Sequence, residues 1–233
     1  MTQSNYIIHL SLIFIKTPQL VLSLILYVMI IFRNFAKLNV MTPKYSKPRI
    51  QNNFIIMIVI HPKDPSTAFL TALYEGRNDV EARLDERTPN SQLMKSLKGT
   101  NKVMMLGHGY KDGLYALPIT SGPKPRKIIN ASYVQFLRDK TCIGIWCYAS
   151  NFAERYRLNG LFSGMIISEM QEAAKENIST TEQELEQENR KFAERLRFCL
   201  DHFPLCDVPA QFQLMDDVHS PLTEYNYQRL FFF

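Results

Sequence analysis

No glycine-rich phosphate loop follows any apolar run of this chain; neither GxGxxG nor a P-loop pattern occurs. The common nucleotide-binding signatures are therefore missing. Ser150 and Ser163 stand in no GxSxG setting, which argues against a serine hydrolase built on a nucleophile elbow. The four cysteines, Cys142, Cys147, Cys199 and Cys206, form no CxxC pair and no dense cluster. That excludes a disulfide scaffold and points to free thiols in a reducing compartment. Cys199, His202 and Cys206 fall close together but match no common zinc spacing, so a helix end carrying two small thiols describes them better. No metal and no organic cofactor is expected, and no internal repeat is visible.

Acidic residues are missing from residues 1–60, which hold Lys16, Arg33, Lys37, Lys44, Lys47 and Arg49. That segment carries +6 of a total of +5, so the rest of the chain sums to −1. A neutral body gives no reason to expect nucleic acid as a partner. A basic flank beside an apolar run suits a membrane surface better. The run is residues 20–32, LVLSLILYVMIIF, between Lys16 and Arg33. It falls short of the roughly 20 residues of a full span. No small-residue cleavage site follows Phe32, which disfavours a signal peptide. Three readings of the hydrophobic segment 1–40 stay open. It is a membrane anchor through residues 17–33, an over-extended start before a true beginning near Met41, or an amphipathic or buried appendage. As an anchor, its basic flank puts the following domain on the cytoplasmic side; otherwise the chain is cytoplasmic.

Residues 41–53, MTPKYSKPRIQNN, are polar, basic and proline-bearing, and read as a linker. The globular part follows over residues 54–233. An apolar content of 46% against 21% charged residues is that of a folded domain with a full core. Residues 54–60, FIIMIVI, are continuously apolar, the mark of a central parallel strand. Asp64-Pro65-Ser66 starts a helix of about ten residues that Gly76 stops. A polar stretch leads to a short helix over 91–97. Gly113 to Leu117 reads as a hairpin or strand, residues 121–125 as a loop, and Asn130 as the cap of a helix through Arg138. Further strands are expected at 103–107, 141–147 and 161–167, with helices from Asn151 and from Ser168. Thr181-x-x-Glu184 is a capping box that opens a helix to about His202, with Leu185, Phe192, Leu196, Cys199 and Phe203 on one stripe. The alternating tail from Thr223 suits an edge strand. Strand–helix alternation of this kind builds a right-handed, doubly wound, mainly parallel sheet.

Two apolar runs end alike. Residues 103–109, VMMLGHG, stop at His108, and residues 141–147, TCIGIWC, stop at Cys147. Buried parallel strands deliver their last residues to one face of a sheet, where ligands and chemistry collect. A thiol becomes a strong nucleophile when a histidine or a helix N-terminus favours its thiolate, and Cys147 is offered both. Gly107 and Gly109 leave the His108 ring unobstructed. The N–H groups of Gly109 and Cys147 are candidate donors to a developing oxyanion. His61 reads as a loop residue and Trp146 as core packing.

LGHGYKDGLY over 106–115 resembles the histidine motif of caspases and their relatives: an apolar strand, a small residue, His-Gly, a polar turn, then Gly-aliphatic-Tyr. IGIWC over 143–147 resembles the strand that ends at that group's nucleophile, and the order, His before Cys, also agrees. The similarity covers residues 54–170, half of the chain. It implies a caspase-like three-layer α/β sandwich and peptide-bond cleavage through a Cys–His dyad. His108 is then the base, Cys147 the nucleophile, and Gly109 part of the oxyanion hole. Peptides or proteins are the implied substrates.

The chain also departs from that pattern. Caspases carry Gln-Ala before the cysteine and Arg-Gly after it; here Ile145-Trp146 and Tyr148-Ala149 stand there. The arginine-directed relatives place an acid where this chain has Ile145. Neither an aspartate nor a basic preference at the cleaved residue carries over. Asp64, Asp112 and Glu169 are the candidate substrate-binding acids. These departures also fit a second reading, a catalytically silent caspase-like module used for binding or regulation.

Overall fold

A computed structural model describes residues 56–116 and 125–233. The segment 1–40, the linker 41–53, the expected membrane anchor at 17–33 and most of the 121–125 loop lie outside the described residues. Among the described residues, no helix is long and apolar enough to cross a membrane.

Among the described residues nine strands form in chain order: β1 (Met57–Ile60), β2 (Val80–Leu84), β3 (Lys102–Leu106), β4 (His108–Tyr110), β5 (Gly113–Ala116), β6 (Arg126–Ile129), β7 (Thr141–Ile145), β8 (Asn159–Ser163) and β9 (Leu230–Phe232). Six of them make the central sheet, in the order β2-β1-β3-β7-β8-β9. Every pairing in it is parallel except β8 with β9. The other three, β4-β5-β6, make a small antiparallel sheet.

The apolar runs read from the sequence become the inner strands because both of their faces are covered. Alternate residues supply the two faces. Ile58, Ile60, Val103, Met105 and Cys142 pack under Leu93, Leu97, Leu137 and Phe152, and under Leu114 and Ile129 of the small sheet. Met57, Val59, Met104, Leu106, Ile143 and Ile145 pack under Leu70, Leu73, Phe192, Leu196, Phe212 and Tyr227. The result is a three-layer α/β arrangement. Each fully buried Leu, Ile or Phe of these layers contributes roughly 1.5–3 kcal/mol of transfer free energy. The Glu182–His202 helix, with the Thr181 capping box intact, supplies Phe192, Leu196 and Cys199 to the second layer.

Several elements differ from the sequence reading. The helix after Asp64 is a 3-10 helix, Pro65–Leu73; the Thr67 N–H bonds to the Asp64 carbonyl and sets a tight turn from the outset. The polar stretch after Gly76 contains β2. Its Glu81 and Arg83 are exposed on an edge strand, so no apolar run marks it. The strand expected over 161–167 is β8, which runs Asn159–Ser163 and stops before Gly164. There the chain turns to meet Asn226, whose buried side chain accepts from Ile167 N and donates to Ile167 O. The tail from Thr223 is first a helix, Pro221–Tyr227, and only then β9. Ser220 caps that helix with Pro221 in its first turn, a start signal that overrides the alternation.

Gly144 on β7 makes room for aromatic packing. A Cβ there would lie 2.6 Å from Phe162 and 2.7 Å from Trp146. Gly144→Ala is expected to cost about 1–3 kcal/mol, read as a lower urea midpoint at unchanged slope.

Candidate active site

β3 and β7 pair in parallel with Leu106 opposite Ile145. His108 and Cys147 each follow two residues after that last pair. The strand register alone therefore carries both side chains to the same edge of the sheet. Gly107 turns the chain out of β3 with φ +129, while its N–H still bonds to the Ile145 carbonyl at 3.1 Å. After Cys147 the chain turns sharply into the Ala149–Tyr156 helix through Tyr148 at φ 66. A left-handed tyrosine costs roughly 1–2 kcal/mol. Its N–H, bonded to the Gly164 carbonyl at 3.0 Å, helps hold it there.

His108 and Cys147 line one small cavity with Thr67, Ile145, Ile166 and Ser168. Its volume is about 20 Å³, room for roughly one water. A groove of about 490 Å³ opens alongside and shares Phe69 and Ser168 with it.

The His108 ring is held from the loop after β1. Its Nε2 lies 2.7 Å from Ser66 Oγ, which lies 2.7 Å from Asp64 Oδ1. The Ser66 backbone N–H also donates to Asp64 Oδ1, at 2.9 Å. Direct approach of His108 Nε2 to Asp64 Oδ1 is longer, 3.6 Å. Partial burial works against the Asp64 carboxylate. The two Ser66 hydrogen bonds and the neighbouring His108 outweigh it and hold Asp64 below the ordinary carboxylate range. No hydrogen bond engages His108 Nδ1 among the described residues.

Cys147 has different partners. Its Sγ lies 3.5 Å from Glu172 Oε1 and 3.6 Å from the Ile166 carbonyl. Burial pushes the thiol up to about 12, and the Glu172 carboxylate pushes it the same way. At pH 7 a group of that pKa is a thiolate in about one molecule in 100,000. Among the described residues, no hydrogen bond joins His108 to Cys147. The two expected partners share a cavity, and the thiol in it is protonated and turned to a carboxylate.

Gly109 has a packing role. A Cβ on it would meet Trp146 Cδ1 at 2.1 Å, so the missing side chain is what lets the tryptophan sit down. Trp146 is buried, 2% exposed, and its indole N–H donates to the Tyr110 carbonyl at 3.2 Å. The Cys147 N–H makes no hydrogen bond among the described residues.

The proposed substrate acids separate. Asp64 belongs to the His108 network. Asp112 pairs with Lys127 at 2.5 Å and accepts from Tyr115 on the small sheet. Glu169 caps the Met170–Lys175 helix. The acid that reaches Cys147 is Glu172, which the sequence reading passed over. Its other oxygen accepts from Ser168 N at 2.8 Å and Glu169 N at 3.1 Å. The available signal was a glutamate in the first turn of a helix that follows a strand end.

His61 is a half-buried structural histidine. Burial pushes it down to about 4, and it contacts Tyr74 Oη at 3.1 Å and Thr67 Oγ1 at 3.4 Å. Cys199 is buried against Met215, Cys206 is exposed, and His202 stacks on Phe198. Among the described residues no group of three His, Cys, Asp or Glu side chains is placed to hold a metal ion. Compared with known proteins, the chain matches no family model and no curated protein sequence.

Removing the Glu172 charge favours the thiolate, so the Cys147 pKa falls and its reactive fraction rises at every pH below about 12. Glu172→Gln should speed iodoacetamide alkylation of Cys147 at pH 8.5 by about tenfold or more, one pKa unit being tenfold in thiolate. Peptide mapping would read this, with buried Cys142 unchanged as the internal control.

Proposed function

We propose that this chain is a cysteine peptidase of the caspase-like type, with His108 and Cys147 as its working pair. The observation that carries the reading is the matched exit of both residues from adjacent, in-register strands into one cavity. The mainly parallel three-layer fold supports it, as do the resemblances around His108 and Cys147.

The chemistry is acyl transfer. His108 takes the Cys147 thiol proton on Nδ1, and the thiolate sulfur bonds to the scissile carbonyl carbon. The carbonyl oxygen becomes an oxyanion facing the Cys147 and Gly109 N–H groups. As the intermediate collapses the C–N bond breaks, and His108 returns its proton to the leaving amine. A thioester remains. Water attacks it with His108 as base, releasing the acid and the thiol. A peptide needs far more space than one water occupies. Substrate entry therefore requires the 166–172 segment to release Cys147, and the 490 Å³ groove beside it is the space into which an extended chain fits.

The second reading is a catalytically silent binding or regulatory module. It is favoured by the Cys147–Glu172 contact and by the small size of the cavity, about 20 Å³. Turnover separates the two. The full chain, offered a mixed peptide library between pH 5 and 9, should cleave a subset. Cys147→Ala and His108→Ala should each abolish cleavage while leaving the circular dichroism spectrum intact. No cleavage by the wild-type chain, or cleavage that survives Cys147→Ala, would leave the binding module standing.

A further inference from the structure

We propose that Ser66 and Asp64 are positioning residues that fix the proton of neutral His108 on Nε2 and leave Nδ1 as its basic nitrogen. The use made of that base rests on the peptidase reading; the proton assignment itself does not.

The number of available hydrogens decides the assignment. A serine hydroxyl has one to give. Ser66 Oγ has two neighbours at the same distance, 2.7 Å to Asp64 Oδ1 and 2.7 Å to His108 Nε2. An ionised carboxylate can only accept, so the hydroxyl hydrogen belongs to Asp64. Only a lone pair of Ser66 then faces the ring, and Nε2 must bring its own hydrogen. The other partner of Asp64 Oδ1 agrees with this, because the Ser66 backbone N–H is also a donor to it.

The two Ser66 hydrogen bonds and the neighbouring His108 keep Asp64 ionised, and its place in the chain adds to them. It is the N-cap of the Pro65–Leu73 helix, with Pro65 in the first turn, where a negative charge is favoured. The sequence triplet that starts the helix thus also orients the histidine. The remaining histidine nearby offers no competing proton, since His61 is neutral and its ring nitrogens face Tyr74 and Thr67.

Two consequences follow. Ser66 is no nucleophile despite its 2.7 Å contact with a histidine, because its hydrogen is committed to the carboxylate. When His108 takes a proton on Nδ1, the resulting imidazolium keeps its Nε2–H bond to Ser66, with the Asp64 anion behind it. The same contacts hold the ring in place in both forms.

The test is long-range ¹H–¹⁵N correlation spectroscopy of the full chain labelled in histidine, with His108→Ala to assign the ring. Wild type should show His108 as a single Nε2–H tautomer, with a solvent-protected Nε2 proton. Ser66→Ala should give a mixture of tautomers and lose the protected proton, and Ser66→Thr, which keeps the hydroxyl, should restore both. An Nδ1–H tautomer in wild type, or a Ser66→Ala spectrum identical to wild type, would overturn the assignment. Neither spectrum depends on turnover, so an inactive chain leaves this test intact. If the chain cleaves peptides, Ser66→Ala should lower kcat about tenfold or more with KM unmoved, the scale seen when an orienting outer partner is lost. An unchanged kcat would also count against the positioning role.

Discussion

The in-register pairing of β3 with β7 sets the position of both candidate catalytic side chains. Leu106 lies opposite Ile145, and each chain runs two residues further to reach His108 and Cys147. Nothing local to either residue need bring them together. A slip of one residue in that ladder would turn every side chain of the strand to the opposite face of a sheet buried on both sides. The two core clusters that fix the register therefore also fix the site.

The sheet sets position, and the loops beyond it supply the polar partners. From one side, the loop after β1 gives His108 a polar, ordered partner in Ser66 and Asp64. From the other, the segment after β8 gives Cys147 a carboxylate and a carbonyl. The first arrangement suits a base; the second suppresses a nucleophile. In this arrangement the thiol is protonated, and the contacts that hold it come from one short segment, residues 166–172. Trp146 and Gly109 lock the floor beneath it. The ring occupies the space that a side chain at 109 would need.

Legibility in the sequence followed burial. β1, β3 and β7 were readable because both of their faces are covered and each writes an unbroken apolar run. The Glu182–His202 helix was readable because its capping box and its stripe agree. β2 was not, since an edge strand with exposed Glu81 and Arg83 leaves a polar trace. His108 and Cys147 were readable as strand ends. Glu172 was not, because its contact with Cys147 depends on how the chain folds back after Gly164, through Asn226 from far down the sequence. Ser66 was read only as part of a helix start. Its contact with His108 is long-range and leaves no local pattern.

The central claim is that His108 makes Cys147 a nucleophile toward a peptide carbonyl. The most direct measurement exposes the full chain to a mixed set of peptidyl acyloxymethyl ketones, in which a thiolate held at the peptide carbonyl bonds to the adjacent methylene carbon and expels the carboxylate. Intact mass and peptide mapping then locate the adduct. One adduct on Cys147, absent in His108→Ala, is the predicted result. An unmodified Cys147, or equal modification in His108→Ala, would contradict the account.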